Sequence, residues 1–329
     1  MDFNNTMLKR LYLTISHESA VSYEFIGGGF IHNTIYREKL KAFIKEKYKR
    51  TKFDVVIAVM PAGSQFALDS GGELFPGVPV VYALPSKEQI EKIKSVKGNG
   101  VVKSISSITE TVDRIRMILP DTEHMVVVSG SGQDDLQYMK QAKEILEQKK
   151  WPATTEYFTG LTCSELRPRL KDLPERSVVL MLVYLRDRYG NPLTTMHVMD
   201  DVAEFSSVPI FGFYDTIMGH GIVGGRLTGA SPFGEATAET ALKVMSAGTP
   251  GPVVITMAET RDVYDWRQLQ KWKISKSRLP EGSEIWYRKV TFISAVIIIQ
   301  FFLIAFLLIN MNKRKQAEKE LLVSEKKIP

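Results

Sequence analysis

Between Val290 and Met311 the chain reads VTFISAVIIIQFFLIAFLLINM, with Gln300 in its middle and no charged residue. A bilayer core takes roughly 20 consecutive apolar residues in helical form, and this run has about 22. Lipid leaves no backbone group a water partner, so a crossing segment of this kind is a helix. Trp286 and Tyr287 precede the run, where interfacial aromatics lie, followed by Arg288 and Lys289. Asn312, Lys313, Arg314 and Lys315 follow it. A core helix is rarely apolar on every face for this length, so the run reads as one transmembrane helix over 290–311. A globular part then lies on one side and a short tail, 312–329, on the other.

The part before the run is long enough for two lobes of ordinary domain size. Of 329 residues, 44% are hydrophobic and 24% charged, the balance of a folded chain. The net charge of +6 is scattered or flanks the apolar run, which fits a membrane surface and argues against nucleic-acid binding. Cys163 is the single cysteine, so no disulfide forms within the chain. One cysteine and five scattered histidines give no metal-ligand spacing, and no cofactor is indicated. Residues 1–16 carry no apolar core and no small-residue cleavage site, so they do not read as a secretory signal. The charges on either side of the span nearly balance, with the densest cluster after it.

Short β-branched strands alternate with amphipathic helices through the remainder. Strands are predicted at 54–59, 78–82, 124–128, 155–158, 177–184, 208–213 and 253–257, with a short one at 222–223. Helices are predicted at 36–48, 87–95, 108–119, 134–150, 163–172, 196–205 and 232–247. A turn is expected at Pro61–Gly63. The rhythm is that of βαβ units in parallel sheets, in two groups that divide near residues 105–120. The fold class is therefore α/β, two doubly wound lobes followed by a transmembrane helix. Ligands in such lobes bind beyond the carboxyl ends of the strands, here in the cleft between lobes.

Several stretches resemble one known family. FDVVIAV, LFPGVPVVY, RDRYGNPL, VPIFGFYDTIMGHGIVGG, GEATAETALKVMSAGTP, DWRQLQKW and RLPEGSEI are similar to the ABC-transporter substrate-binding-like sensor domain of bacterial two-component sensor histidine kinases. After the span, KRKQAEKELLVSEKKI resembles the linker that enters a cytoplasmic PAS or kinase module. The resemblance implies a type I periplasmic-binding-protein fold. It divides the chain into a first lobe at 1–110, a second at 111–230, and a return segment at 231–258 packing on the first lobe. A juxtamembrane stalk at 259–289, the span at 290–311 and a linker at 312–329 follow. It also implies a first strand and a signal sequence before Met1, and kinase modules after Pro329, so the chain reads as truncated at both ends.

The implied role is an extracytoplasmic small-molecule sensor, single-pass in the inner membrane, with its tail cytoplasmic. The ligand would be an amino acid or another small organic molecule. The partners would be the bilayer, a second copy in a homodimer and, through the missing kinase modules, a response regulator. The chain itself lacks kinase catalytic modules and is not read as an enzyme. A membrane-tethered substrate-binding protein of an ABC transporter is the alternative, and an α/β enzyme is a third class supported by the fold alone.

The candidate ligand-binding residues sit at predicted strand ends. Met60, Pro61, Ala62 and Ser64 follow the first strand. Tyr82, Tyr184 and Tyr214 end three others, and an aromatic there either stacks on a ligand or packs in the core. Asp215 either binds a ligand amine or caps the next turn. Ser129 and Ser131, in Ser129-Gly130-Ser131-Gly132, either present amides to an anion or form a capped βα turn. Gly219-His220-Gly221-Ile222-Val223-Gly224 matches G-x-G-x-x-G but follows a late strand, and Glu239, about 20 positions beyond its start, falls in a predicted helix. It reads as a crossover or cleft loop with unusual backbone angles and not as a dinucleotide fingerprint. No catalytic residue is identified, and no G-x-S-x-G is present.

Overall fold

The computed structural model describes residues 3–15, 20–26, 33–104, 107–151, 154–247, 251–287, 300–304, 306–311 and 313–315. The chain separates into two units, Met1–Trp286 and Tyr287–Pro329.

In the first unit, α1 (Phe3–Ile15) and α2 (Thr34–Lys47) precede the strand–helix alternation: β1 (Val56–Val59), α3 (Met60–Leu74), β2 (Val80–Ala83), α4 (Lys87–Lys94), β3 (Gly100–Ser104). A second series follows: α5 (Ser107–Ile118), β4 (His124–Ser129), α6 (Gln133–Gln148), β5 (Thr154–Thr159), α7 (Cys163–Lys171), β6 (Ser177–Met181), α8 (Thr195–Val202), β7 (Ile210–Phe211), β8 (Gly224–Thr228). The chain then runs through α9 (Ala230–Ser246), β9 (Val254–Ala258), β10 (Thr260–Asp265), α10 (Trp266–Lys271) and β11 (Glu284–Trp286).

The strands form two sheets. One has the order β1-β2-β3-β9 and is wholly parallel. The other has the order β11-β10-β8-β7-β6-β4-β5 and is parallel except where β10 meets β8. Central strands of parallel sheets are covered on both faces, which is why β4 and β6 read as continuous apolar runs. Met125, Val127, Val178 and Leu180 pack with α5 and α6 on one face, and Val126, Val128, Val179 and Met181 with α7 and α8 on the other. Each of these side chains, fully removed from water, contributes about 1.5–3 kcal/mol relative to exposure.

Three predicted features differ from the structure. The turn expected at Pro61–Gly63 is the first turn of α3. Met60 takes φ 67° and reverses the chain in a single residue, and Pro61 then occupies a first-turn position, where its missing N–H costs no helix bond. β3 had no sequence signal, because Gly98, Asn99 and Gly100 read as a turn. Gly100 nonetheless pairs with Val81 and Val254 in the strand, and a Cβ there would lie 2.7 Å from Thr240 Cγ2 of the helix above it.

The short strand expected at 222–223 lies instead at Gly224–Thr228. Gly224 sits at φ 139°, and a Cβ on it would be 2.1 Å from the Val263 carbonyl oxygen, so only glycine lets β8 approach β10. The stretch predicted as a juxtamembrane stalk is woven into the second sheet: β10 pairs with β8, and β11 pairs with β10. These strands are only three to six residues long and their burial does not alternate, so no period-two pattern stood out.

In the second unit, 300–304 and 306–311 are helical with exposed apolar side chains. The other residues of the expected span, 290–299 and 305, lie outside the described residues, as does 316–329 of the expected linker. Among the described residues no helix is long and apolar enough to cross a membrane.

Candidate functional site

Three crossings join the lobes: between β3 and α5, from β8 to α9, and from β9 to β10. β3 and β9 run parallel and both leave the first sheet at their carboxyl ends. In the second lobe α5 precedes β4, so its start lies at the carboxyl end of that strand, beside the same crossings. The carboxyl edges of the two parallel sheets therefore face one another. Such edges are where open α/β sheets take ligands.

On the first-lobe side, two non-glycine residues adopt left-handed backbone at the ends of neighbouring strands: Met60 (φ 67°) after β1 and Leu84 (φ 58°) after β2. Strain of this sort costs on the order of 1–3 kcal/mol and gathers at ligand clamps. Val59 makes no side-chain cap, so the first amides of α3 open at this edge without one. The Pro61 carbonyl accepts from Gln89 Nε2 at 2.9 Å, which ties the turn to α4. Ala62 packs beside Ile44 and Phe66. Ser64 is fully buried, and its Oγ has no hydrogen-bond partner.

The second-lobe loops are closed by their own bonds. Ser129 is buried, with its hydroxyl directed at the Val183 and Asp135 carbonyls at 2.9 and 3.0 Å. Ser131 Oγ donates to the Asp187 carbonyl. The Gly130 and Ser131 amides donate to the Val183 and Arg186 carbonyls, and the Gly132 amide to Asp135 Oδ2. The expected anion nest is thus spent internally, and the capped-turn alternative describes it.

Asp135 organises this region and was not singled out from the sequence. Its buried carboxylate accepts from Leu185 N (2.9 Å), Arg186 N (3.1 Å) and Gly132 N (2.9 Å), clamping the β4–α6 turn to the loop after β6. Burial pushes this carboxyl above its ordinary range, and the three amides pull the other way. The available signal was an acidic residue three positions into a helix after a glycine-serine turn, the spacing of a capping box.

The aromatic candidates divide. Tyr184 is fully buried and its hydroxyl donates to the Leu161 carbonyl, so it is a core residue and not cleft lining. Tyr82 is 3% exposed among Ala58, Val80, Ile93 and Val101, also in a core. A strand end in a parallel sheet is still covered by the flanking helices, which the sequence does not reveal. Tyr214 is half-buried, and its hydroxyl meets that of Tyr138 at 2.7 Å, with the Phe213 ring tilted against it at 4.5 Å between centroids. Burial raises both phenol pKa values. Asp215 caps α9 through the Ala230 amide.

Beside the crossings, Asp262 of β10 receives a fork from Arg114 of α5 at 2.8 and 3.2 Å and a third bond from Arg226 of β8 at 2.8 Å. Arg226 also reaches Thr260 at 2.9 Å. Sequence reading missed this cluster because its members are distant in the chain. A separate cavity of about 300 Å³, lined by Leu119, Arg176, Ser177, Trp272 and Arg278, lies at the amino end of β6 and is not part of the cleft. Among the described residues no cluster of metal-ligating side chains occurs. In Gly219–Gly224 the glycines at φ 82° and 101° lie against Trp286 and Ala203, which makes the stretch a packed crossover between β7 and β8.

Solved structures share this architecture. A ligand-free, open substrate-binding protein with adhesive properties from Clostridium difficile matches with TM-score 0.61 at 12% identity, over 87% of this chain and 96% of that one. The ABC domain from Streptococcus pneumonia in complex with L-Trp matches with TM-score 0.59 at 14% identity, over 86% and 96%. The fold is type I periplasmic-binding-protein-like. An ABC transporter solute-binding protein from Bacillus halodurans with bound myo-inositol also shares it, with TM-score 0.50 at 13% identity, over 79% of this chain and 90% of that one. No protein-family model matches the chain, and no curated protein matches it.

Proposed function

We propose that this chain binds a small organic molecule between its lobes, as the extracytoplasmic sensor part of a membrane-bound signalling protein. The observation that carries the binding reading is the first-lobe edge. There an uncapped helix start, a left-handed Met60 and a buried Ser64 hydroxyl without a partner meet at the carboxyl end of a parallel strand. A helix start with free amides favours an anionic group such as a carboxylate. The half-buried Tyr138 and Tyr214, backed by the buried Phe213, offer an aromatic surface on the other lobe. An amino acid or another small carboxylate combines these features, and neighbours with bound L-Trp and myo-inositol support that size of ligand.

In this reading the apolar run at 290–311 crosses the inner membrane once, and the tail from 312 leads, in the whole protein, to kinase modules acting on a response regulator. The chain works as a homodimer, and ligand shifts the balance of lobe positions by its differential affinity for them. A tethered solute-binding protein of an ABC transporter uses the same cleft, and the solute-binding neighbours support it equally. The first test is thermal unfolding of the full chain against amino acids, aromatic acids, inositols and small anions. A ligand at 100 times its dissociation constant adds about 2.7 kcal/mol. A shift of several degrees for one compound supports the reading, and a flat response across carboxylates and polyols sinks it. Sensor and carrier separate on whether the parent gene continues into kinase modules or adjoins permease genes.

A further inference from the structure

β9 is an edge strand: among the described residues it pairs only with β3. Its sequence, VITMA, carries no charge and no proline, the devices that usually keep an edge from pairing with another chain. Val254 N donates to the Asn99 carbonyl, so Val254, Thr256 and Ala258 turn their backbone groups towards β3. By strand alternation, Ile255 and Met257 turn theirs outward. The same two residues carry the uncovered side chains, each 45% exposed, whereas Val254 and Thr256 face α9, where Thr240 donates to Thr256 Oγ1 at 2.7 Å. Lys103, opposite Met257 on β3, is the nearest charge in the sheet.

The opposite edge of this sheet differs. There Ile57 and Val59 are half-buried against the cluster that includes Met7 and Leu11 of α1.

We infer that β9 pairs antiparallel with β9 of a second copy, about a two-fold axis through Thr256. That register sets Ile255 opposite Met257 of the partner, and Met257 opposite its Ile255. Both are pairs in which the outward N–H and C=O groups exchange hydrogen bonds. Four backbone bonds form, two apolar pairs close over the uncovered face, and the two four-stranded sheets become one of eight. The match is a property of the strand itself: free amides and exposed apolar side chains coincide at two positions placed symmetrically about one residue. Two-fold contacts require this kind of self-complementarity. The inference does not depend on which ligand the cleft takes.

The test uses the full chain in non-ionic detergent, followed by sedimentation velocity up to about 100 µM, because a contact of this size sits at the weak end of protein interfaces. Wild type is expected to dimerise over that range. I255K/M257K places like charges opposite one another and should be monomeric with an unchanged melting temperature. I255K/M257E places Lys opposite Glu across the axis and should dimerise again. Hydrogen exchange gives a readout without substitution: the Ile255 and Met257 amides should become protected as concentration rises, and Thr256 should not change. A wild-type monomer throughout the range overturns the proposal. So does a Lys/Lys variant that dimerises as wild type does, a Lys/Glu variant that stays monomeric, or exchange at Ile255 and Met257 that is insensitive to concentration.

Discussion

Asp215 of the second lobe accepts the backbone N–H of Ala230, the first residue of α9 in the first lobe, with both carboxylate oxygens 3.2 Å away. Gly229 at the N-cap position supplies no side chain of its own, so a carboxylate fifteen residues earlier caps the helix across the hinge. Substituting a capping carboxylate by alanine costs about 0.5–2 kcal/mol. Asp215→Ala is expected to lower the unfolding free energy by that amount in denaturant titration. Because the bond ties the lobes, the variant should also change ligand affinity without any direct contact being lost.

Ser64 gives the sharpest separation of binding from folding. A buried hydroxyl without a partner costs roughly 1–3 kcal/mol of desolvation, so Ser64→Ala should leave the unliganded melting temperature unchanged or raise it. If the hydroxyl serves a ligand, affinity should fall about tenfold, equivalent to about 1.4 kcal/mol. Calorimetric titration of wild type and variant with the same ligand reads this, and an unchanged affinity removes Ser64 from the site.

Tyr184 is expected to behave as core. Tyr184→Ala should destabilise by about 3–5 kcal/mol, as truncation of a buried aromatic does. Tyr184→Phe removes only the bond to the Leu161 carbonyl and should cost about 1 kcal/mol. Neither should show a binding defect beyond its loss of folded protein. A Tyr184→Phe variant with normal stability and lost binding would contradict the core placement.

Asp135 carries a pH signature. Burial holds its carboxyl above the ordinary value, so the folded chain takes up this proton at a higher pH than the unfolded chain does. In the window between those two pKa values the folded state binds more protons, and this group's contribution to stability grows as pH falls. Asp135→Asn replaces an acceptor of three amides with a group that has one acceptor oxygen, at a cost of about 2–3 kcal/mol. The gap in unfolding free energy between wild type and Asp135→Asn should therefore widen from neutral pH down through that window. A gap that narrows on acidification would reverse the assignment.

Much of the fold was legible because local chemistry and global packing agree. Met125–Val128 and Val178–Met181 are short runs apolar at every position, as strands covered on both faces require. The two groups of βαβ units and the type I periplasmic-binding-protein-like fold follow from that agreement. The carboxyl-end rule expected Tyr82 and Tyr184 to line a cleft, whereas both are buried in the core.

Direction and coverage belong to the tertiary structure alone. Whether a tyrosine at a strand end lines a cleft or fills a core depends on which helix lies over it: the Tyr184 hydroxyl finds Leu161, 23 residues away, and the Tyr214 hydroxyl finds Tyr138, 76 away. Whether Ser129 and Ser131 offer an anion site depends on Val183, Arg186 and Asp187, which claim the hydroxyls and amides first. The segment after residue 259 joins the second sheet because Gly224 lets β10 approach where a Cβ would collide with the Val263 carbonyl. Periodicity within ten residues reports which face of an element is apolar, and so the sequence by itself determined the alternation of strands and helices through most of the chain. The hydrogen bonds and packing that decide each side chain's partner span tens of residues to more than a hundred, and only the folded arrangement brings those partners together.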